Sequence, residues 1–131
     1  MFIVLITLSV VMFLPLVLAI GSIKYRTAQF GKPDIDYPRD QASKLTGAGK
    51  RIVAAQENAW EALGLFITAL VICALAEVDF NQLKNPSLLF VGARISHALF
   101  YLVGNGNLRF LAFVTSLISL TWMIYLAFSA L

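Results

Sequence analysis

Residues 2–20 read Phe-Ile-Val-Leu-Ile-Thr-Leu-Ser-Val-Val-Met-Phe-Leu-Pro-Leu-Val-Leu-Ala-Ile, nineteen positions without one charge. As an α-helix this run is about 28 Å long at ~1.5 Å per residue. That matches the ~30 Å hydrocarbon thickness of a bilayer. A cleaved export signal carries a basic segment ahead of its apolar stretch. Nothing basic precedes Lys24, so the run is expected to persist as a membrane helix, about residues 2–23, with Pro15 as a point where it can kink.

The chain beyond it follows the same composition. Of 131 residues, 60% are hydrophobic and 13% charged, and the mean hydropathy is +0.82. A soluble domain is about a quarter charged. Here lipid can solvate the apolar outer faces, so no water-facing shell is required. Residues 24–48 differ sharply. They hold Lys24, Arg26, Lys32, Arg39 and Lys44 with Asp34, Asp36 and Asp40, punctuated by Gly31, Pro33, Pro38 and Gly47. This pattern predicts a long loop. A second helix is expected over about 49–76, a third over about 86–103 opened by Pro86, and a fourth over about 108–131. Glu77–Asn85 and Gly104-Asn105-Gly106-Asn107 are the short connections. The fold class is therefore an all-α membrane protein, a four-transmembrane-helix bundle formed by a single domain over residues 1–131. Cys73 is the lone cysteine, so no intrachain disulfide can form, and an inert buried thiol is expected.

The basic residues set an orientation. The long loop, with Lys50 and Arg51 at the start of the next helix, holds seven of the ten Lys and Arg. Positive charge marks the cytoplasmic side. The first and third connections are thus expected in the cytoplasm and both termini outside, in the inner or plasma membrane if the source is bacterial. The lipid bilayer is the expected surrounding, and no nucleic-acid partner is expected.

Polar residues inside the spans carry the functional signal. A charge at mid-bilayer costs at least about 2.5–3.5 kcal/mol and usually has a role. Glu61 lies ten residues beyond Arg51, and Arg94 nine residues before Val103. Antiparallel pairing of the second and third helices predicts that Glu61 faces Arg94, with Asn58 level with His97 and Ala54 level with Tyr101. Steps of three and four keep each set on one face. A buried structural ion pair explains Glu61 and Arg94 alone. It does not explain Gln56, Glu57, Asn58, His97 and Tyr101 in the same half of the membrane. Glu57, one residue from Asn58, points partly elsewhere. A single His without a second His or clustered thiols indicates no metal. Gly64, Ala69, Gly92, Ala93 and Ala98 are candidate close-contact positions between helices.

At these residues the sequence resembles the MAPEG superfamily, the membrane-associated proteins in eicosanoid and glutathione metabolism. The string Arg51-Ile-Val-Ala-Ala-Gln56-Glu-Asn58-Ala-Trp-Glu61-Ala-Leu-Gly-Leu-Phe66 resembles that family's second-helix signature: an Arg, then Asn and Glu three apart, then an apolar segment often opened by Pro, which is Gly64 here. Ala93-Arg94, His97 and Tyr101 resemble its third helix. Tyr37-Pro38-Arg39 and Leu45-Thr46-Gly47 resemble a bacterial branch.

The resemblance implies a homotrimer of four-helix subunits with glutathione, a co-substrate, bound between neighbours near the cytoplasmic side. It implies a glutathione transferase or peroxidase acting on lipophilic electrophiles. Gln56, Asn58, Glu61, Arg94 and Tyr101 match positions that hold glutathione or brace its site. His97 stands where the family's leukotriene synthase has a Tyr. Arg51 would lie at the mouth of the cleft. Arg109 approximates the thiol-activating Arg, with a spacing from Tyr101 one residue longer; its other reading is an anchor on lipid phosphate. Ala54 replaces a glutathione-binding Arg and Ala62 a Tyr, and each missing contact to a charged group costs about 1.5–3 kcal/mol. Two other classes stay open: a catalytically silent homologue that binds another ligand or partner, and a small transporter subunit. A transporter would be favoured by a central acidic residue, which Glu61 supplies, and by internal repeats, of which the sequence has none.

Overall fold

A computed structural model describes all 131 residues. Four helices long and apolar enough to cross a membrane make up most of the chain: α1 (Phe2–Phe30), α3 (Gly47–Leu75), α4 (Lys84–Val103) and α5 (Gly106–Ala130). The short α2 (Pro38–Ser43) lies between the first two.

The first helix does not stop at residue 23 but continues to Phe30. Hydropathy falls at Lys24, yet no helix breaker occurs until Gly31. The end of the apolar run marks the membrane boundary, and the end of the helix marks the first residue that cannot continue it. Gly31 takes φ 82° and its N–H donates to the Thr27 carbonyl, a helix end in a conformation that glycine adopts without strain.

The long loop is correspondingly shorter and more ordered than its composition suggests. Pro38 opens α2 at its first turn, where its missing N–H costs nothing. Asp34 Oδ1 accepts from the N–H groups of Asp36 and Tyr37, both at 2.9 Å. Gln41 donates to the Lys32 carbonyl and accepts from Asp34 N–H. Gln29 donates to the Lys44 carbonyl at 3.0 Å and accepts from Thr46 N–H at 3.1 Å, tying the end of α1 to the start of α3. Side-chain amides thus satisfy backbone groups that regular structure would otherwise pair.

α3 and α4 form the centre. α1 packs on both of them, and α5 packs on α4 and α3. The buried line of α3 runs Ile52, Ala55, Ala59, Ala62, Phe66, Ala69, Cys73, steps of three and four that keep to one face. Its alanines let neighbouring backbones approach closely, which favours association in lipid. α5 presents a similar line of Ala112, Ser116, Ser119, Met123 and Ala127. Phe66 stacks on Phe90 with ring centroids 4.7 Å apart, at the centre of the larger core cluster. Ala69, Ala93 and Ala98 are buried as expected, whereas Gly64 and Gly92 face outward with open space at the Cβ position. Leu, Ile and Phe side chains cover the outside of the spans, the arrangement that hydrocarbon surroundings stabilise.

Candidate functional site

Arg94 is the pivot of the polar cluster. It is 2% exposed, on the face of α4 that meets α3 and α5. Its Nη2 donates to the Asn58 carbonyl at 3.3 Å and to Asn58 Oδ1. Its Nη1 donates to Ser116 Oγ at 3.5 Å, while that hydroxyl donates to the Phe113 carbonyl at 2.7 Å. His97, 4% exposed, places Nδ1 3.4 Å from Arg94 Nη2. A guanidinium has only donors, so Nδ1 is the acceptor.

The expected direct contact between Glu61 and Arg94 is not formed. Asn58 stands between them: its Oδ1 takes Arg94, and its Nδ2 donates to Glu61 Oε2 at 3.1 Å. The reason is angular. Three residues fall short of a full helical turn, which takes about 3.6. Asn58 and Glu61 therefore share a face without pointing the same way. Asn58 turns toward α4 and Glu61 turns outward, where it is exposed. The antiparallel register itself holds to within a turn. Phe66 meets Phe90, where the expected alignment sets residue 65 opposite residue 90.

The cluster continues toward the α4–α5 turn. His97 meets Tyr101 edge-on with centroids 5.1 Å apart. Arg109 then lies over the Tyr101 ring, its Cζ 4.4 Å from the centroid, a cation–π contact. Glu61, Asn58, Arg94, His97, Tyr101 and Arg109 therefore form one unbroken series of contacts. Arg109 is in the first turn of α5, where Asn105 caps the helix by accepting from Leu108 N–H at 3.1 Å.

Two of the expected residues lie off this series. Gln56 is half-buried and, two residues before Asn58, projects from nearly the opposite side of the helix. Arg51 reaches the other way. Its Nη2 donates to the Leu102 carbonyl at 3.4 Å and its guanidinium lies against Gly104. Gly104 ends α4 at φ 76°, so Arg51 braces a helix C-terminus, where carbonyls lack partners and positive charge is favoured. Ser116 is the residue that sequence reasoning missed. Its signal was the spacing of small residues at 112, 116 and 119 in an otherwise bulky helix.

Between α3 and α5, floored by Phe90 and Arg94, is a cleft of about 30 Å³ that Asn58, Glu61 and Ser116 help to line. This holds a water or two. Sites for drug-sized ligands are about 300–1,000 Å³, so a single chain does not enclose a tripeptide here.

No curated protein and no solved structure matches this chain. The sequence pattern of the MAPEG family matches residues 2–129. With four membrane-crossing helices and that match over nearly its whole length, the chain belongs to the MAPEG family, an integral multi-pass membrane protein of the superfamily concerned with glutathione and eicosanoid metabolism.

Proposed function

We propose that the protein binds glutathione between neighbouring copies of itself, as a homotrimer, and acts as a transferase or peroxidase toward lipophilic electrophiles. The observation that carries this reading is Glu61. It is exposed on the single chain, ten residues or about 15 Å along α3 from Arg51, within a helix long and apolar enough to cross a membrane. A carboxylate there costs at least about 2.5–3.5 kcal/mol unless a polar partner covers it. The cleft beside it is too small to take a tripeptide inside one subunit, so the ligand lies against a second copy. The outward Gly64 on the same helix leaves room for close approach.

Each role follows from charge. Glutathione has two carboxylates and one amine. Glu61 or Glu57 takes the amine and basic groups at the mouth take the carboxylates through charge-assisted hydrogen bonds. A free thiol has a pKa near 8.5. Arg109, held on Tyr101 at the N-terminal turn of α5, favours the thiolate through its own charge and the helix dipole. The thiolate then attacks an electrophilic carbon of the lipophilic acceptor, forming a thioether as the leaving group departs with the bonding pair. Toward a hydroperoxide it takes the terminal oxygen and the alcohol leaves; a second glutathione condenses with the sulfenic acid to give the disulfide and water. A second reading, a catalytically silent homologue, is favoured by Arg94. Its guanidinium is engaged by Asn58, Ser116 and His97, and Ala54 and Ala62 offer no polar group in compensation.

In mild detergent, native mass spectrometry should give three chains per particle, and titration calorimetry at millimolar glutathione should give a saturable heat. Monomers without heat would eliminate the site; trimers without heat would leave the silent homologue. We also place the long loop in the cytoplasm and both termini outside, on the weight of seven basic residues in and beside that loop. A fluorescent reporter fused after Leu131 should stay dark; bright cytosolic fluorescence would reverse the orientation.

A further inference from the structure

The segment between α1 and α3 displays two large apolar side chains that nothing in the chain covers. Ile35 is 90% exposed and Tyr37 69%. They are held rather than loose. The Asp34 carboxylate binds the N–H groups of Asp36 and Tyr37, and Gln41 binds Asp34 N–H. Exposed Lys32, Arg39 and Lys44 flank them. Residues 24–50 contain six basic and three acidic side chains, a net charge of +3 by that difference, and one of the acids, Asp34, is engaged by the turn itself.

Besides the Gln29 bonds, one contact ties the middle of this segment to α1. Arg26 Nη1 donates to the Pro38 carbonyl at 2.6 Å. Arg26 is three residues, about 4.5 Å along the helix axis, beyond Ile23, the last hydrophobic residue before Lys24. The headgroup layer is roughly 5–8 Å thick on each side of the hydrocarbon. Pro38, bonded to Arg26, and Tyr37 beside it are thus within one side chain's reach of headgroup level. Tyr is favoured at that level because its ring is apolar and its hydroxyl wet.

We propose that residues 32–44 form a membrane-surface anchor, with Ile35 and Tyr37 inserted among lipid headgroups and Lys32, Arg39 and Lys44 on the phosphates of anionic lipid. An apolar tip ringed by cations is the arrangement by which interfacial segments combine burial with attraction to anionic lipid. The anchor is independent of any ligand at Arg94.

The test uses the full chain carrying Ile35→Cys with a nitroxide spin label. Cys73 is buried, with its thiol donating to the Met123 carbonyl, and stays unlabelled. Ile35 packs against nothing, so the substitution leaves the fold intact; Gln82→Cys in the opposite connection serves as the aqueous control. In vesicles containing phosphatidylglycerol, the label at 35 should collide with a water-soluble nickel chelate severalfold less often than the control label. Replacing Lys32, Arg39 and Lys44 together by Gln, or omitting phosphatidylglycerol, should raise that collision rate. Equal rates at 35 and 82 in anionic vesicles would overturn the anchor. So would shielding accompanied by dipolar broadening between labels, the signature of a second copy covering Ile35.

Discussion

Replacing Asn58 by Leu should destabilise the protein by about 3 kcal/mol, the scale expected when a buried charge loses its partner. Leu keeps the branched four-heavy-atom skeleton of Asn and is the larger of the two, so the change opens no cavity and the main loss is electrostatic. Asn58 supplies Oδ1 to a guanidinium that is 2% exposed, and Arg94 Nε already lacks a partner. The backbone carbonyl of residue 58, Ser116 and His97 remain, at 3.3, 3.5 and 3.4 Å, as the longer contacts. The comparison that gives this result meaning is Glu61→Gln. A Gln oxygen still accepts from Asn58 Nδ2, so that change should cost under about 1 kcal/mol. Equilibrium unfolding in mixed micelles reads both. A large loss for Glu61→Gln beside a small one for Asn58→Leu would mean that Glu61, not Asn58, neutralises Arg94.

Arg109→Ala should lower turnover of a chlorodinitrobenzene-type acceptor by about 10²–10³-fold, the scale measured when one preorganised group aimed at developing charge is removed. Affinity for glutathione should change little. This follows from the proposed role, in which the charge on Arg109 acts on the thiolate and not on the tripeptide's carboxylates. Arg109→Lys keeps the charge but loses the planar stacking surface and should fall between the two. Tyr101→Leu should resemble Arg109→Lys, because the guanidinium is positioned by the Tyr101 ring at 4.4 Å. If Arg109 holds a carboxylate instead, its removal weakens binding and leaves saturated turnover intact. If it holds only lipid phosphate, neither quantity moves.

The number of membrane helices was legible because hydrocarbon imposes a length and a composition that few other structures need. Their ends were less so. α1 runs seven residues past the expected boundary because Lys24-Tyr-Arg-Thr-Ala-Gln-Phe30 is polar but fully able to be helical. α2 escaped because six residues are too few to show a period. Its only mark is Pro38, which signals a turn as readily as a first helical position. For the candidate site, periodicity brought Asn58, Glu61, Arg94, His97 and Tyr101 to one level but could not rank two neighbours on one face. The fraction of a turn by which Asn58 and Glu61 are offset decides which of them meets Arg94. The direction of Arg51 was also beyond reach, since a long side chain at a helix start can extend toward a ligand or toward the next helix.

The order of the polar contacts along the chain bears on how the protein enters its membrane. Arg94 takes its nearest partner, Asn58, from α3, and only the weaker one, Ser116, from α5. During synthesis the acceptor is therefore already inserted when the helix carrying the charge arrives. Arg51 likewise precedes the Leu102 carbonyl it caps. The α3–α4 hairpin can close and shield its guanidinium while α5 is still inside the ribosome. The last helix then docks onto that hairpin and completes the cover of Arg94 with Ser116. A chain truncated before Gly106 should therefore keep the Asn58–Arg94 contact but be less stable than the full chain, which unfolding in mixed micelles would read.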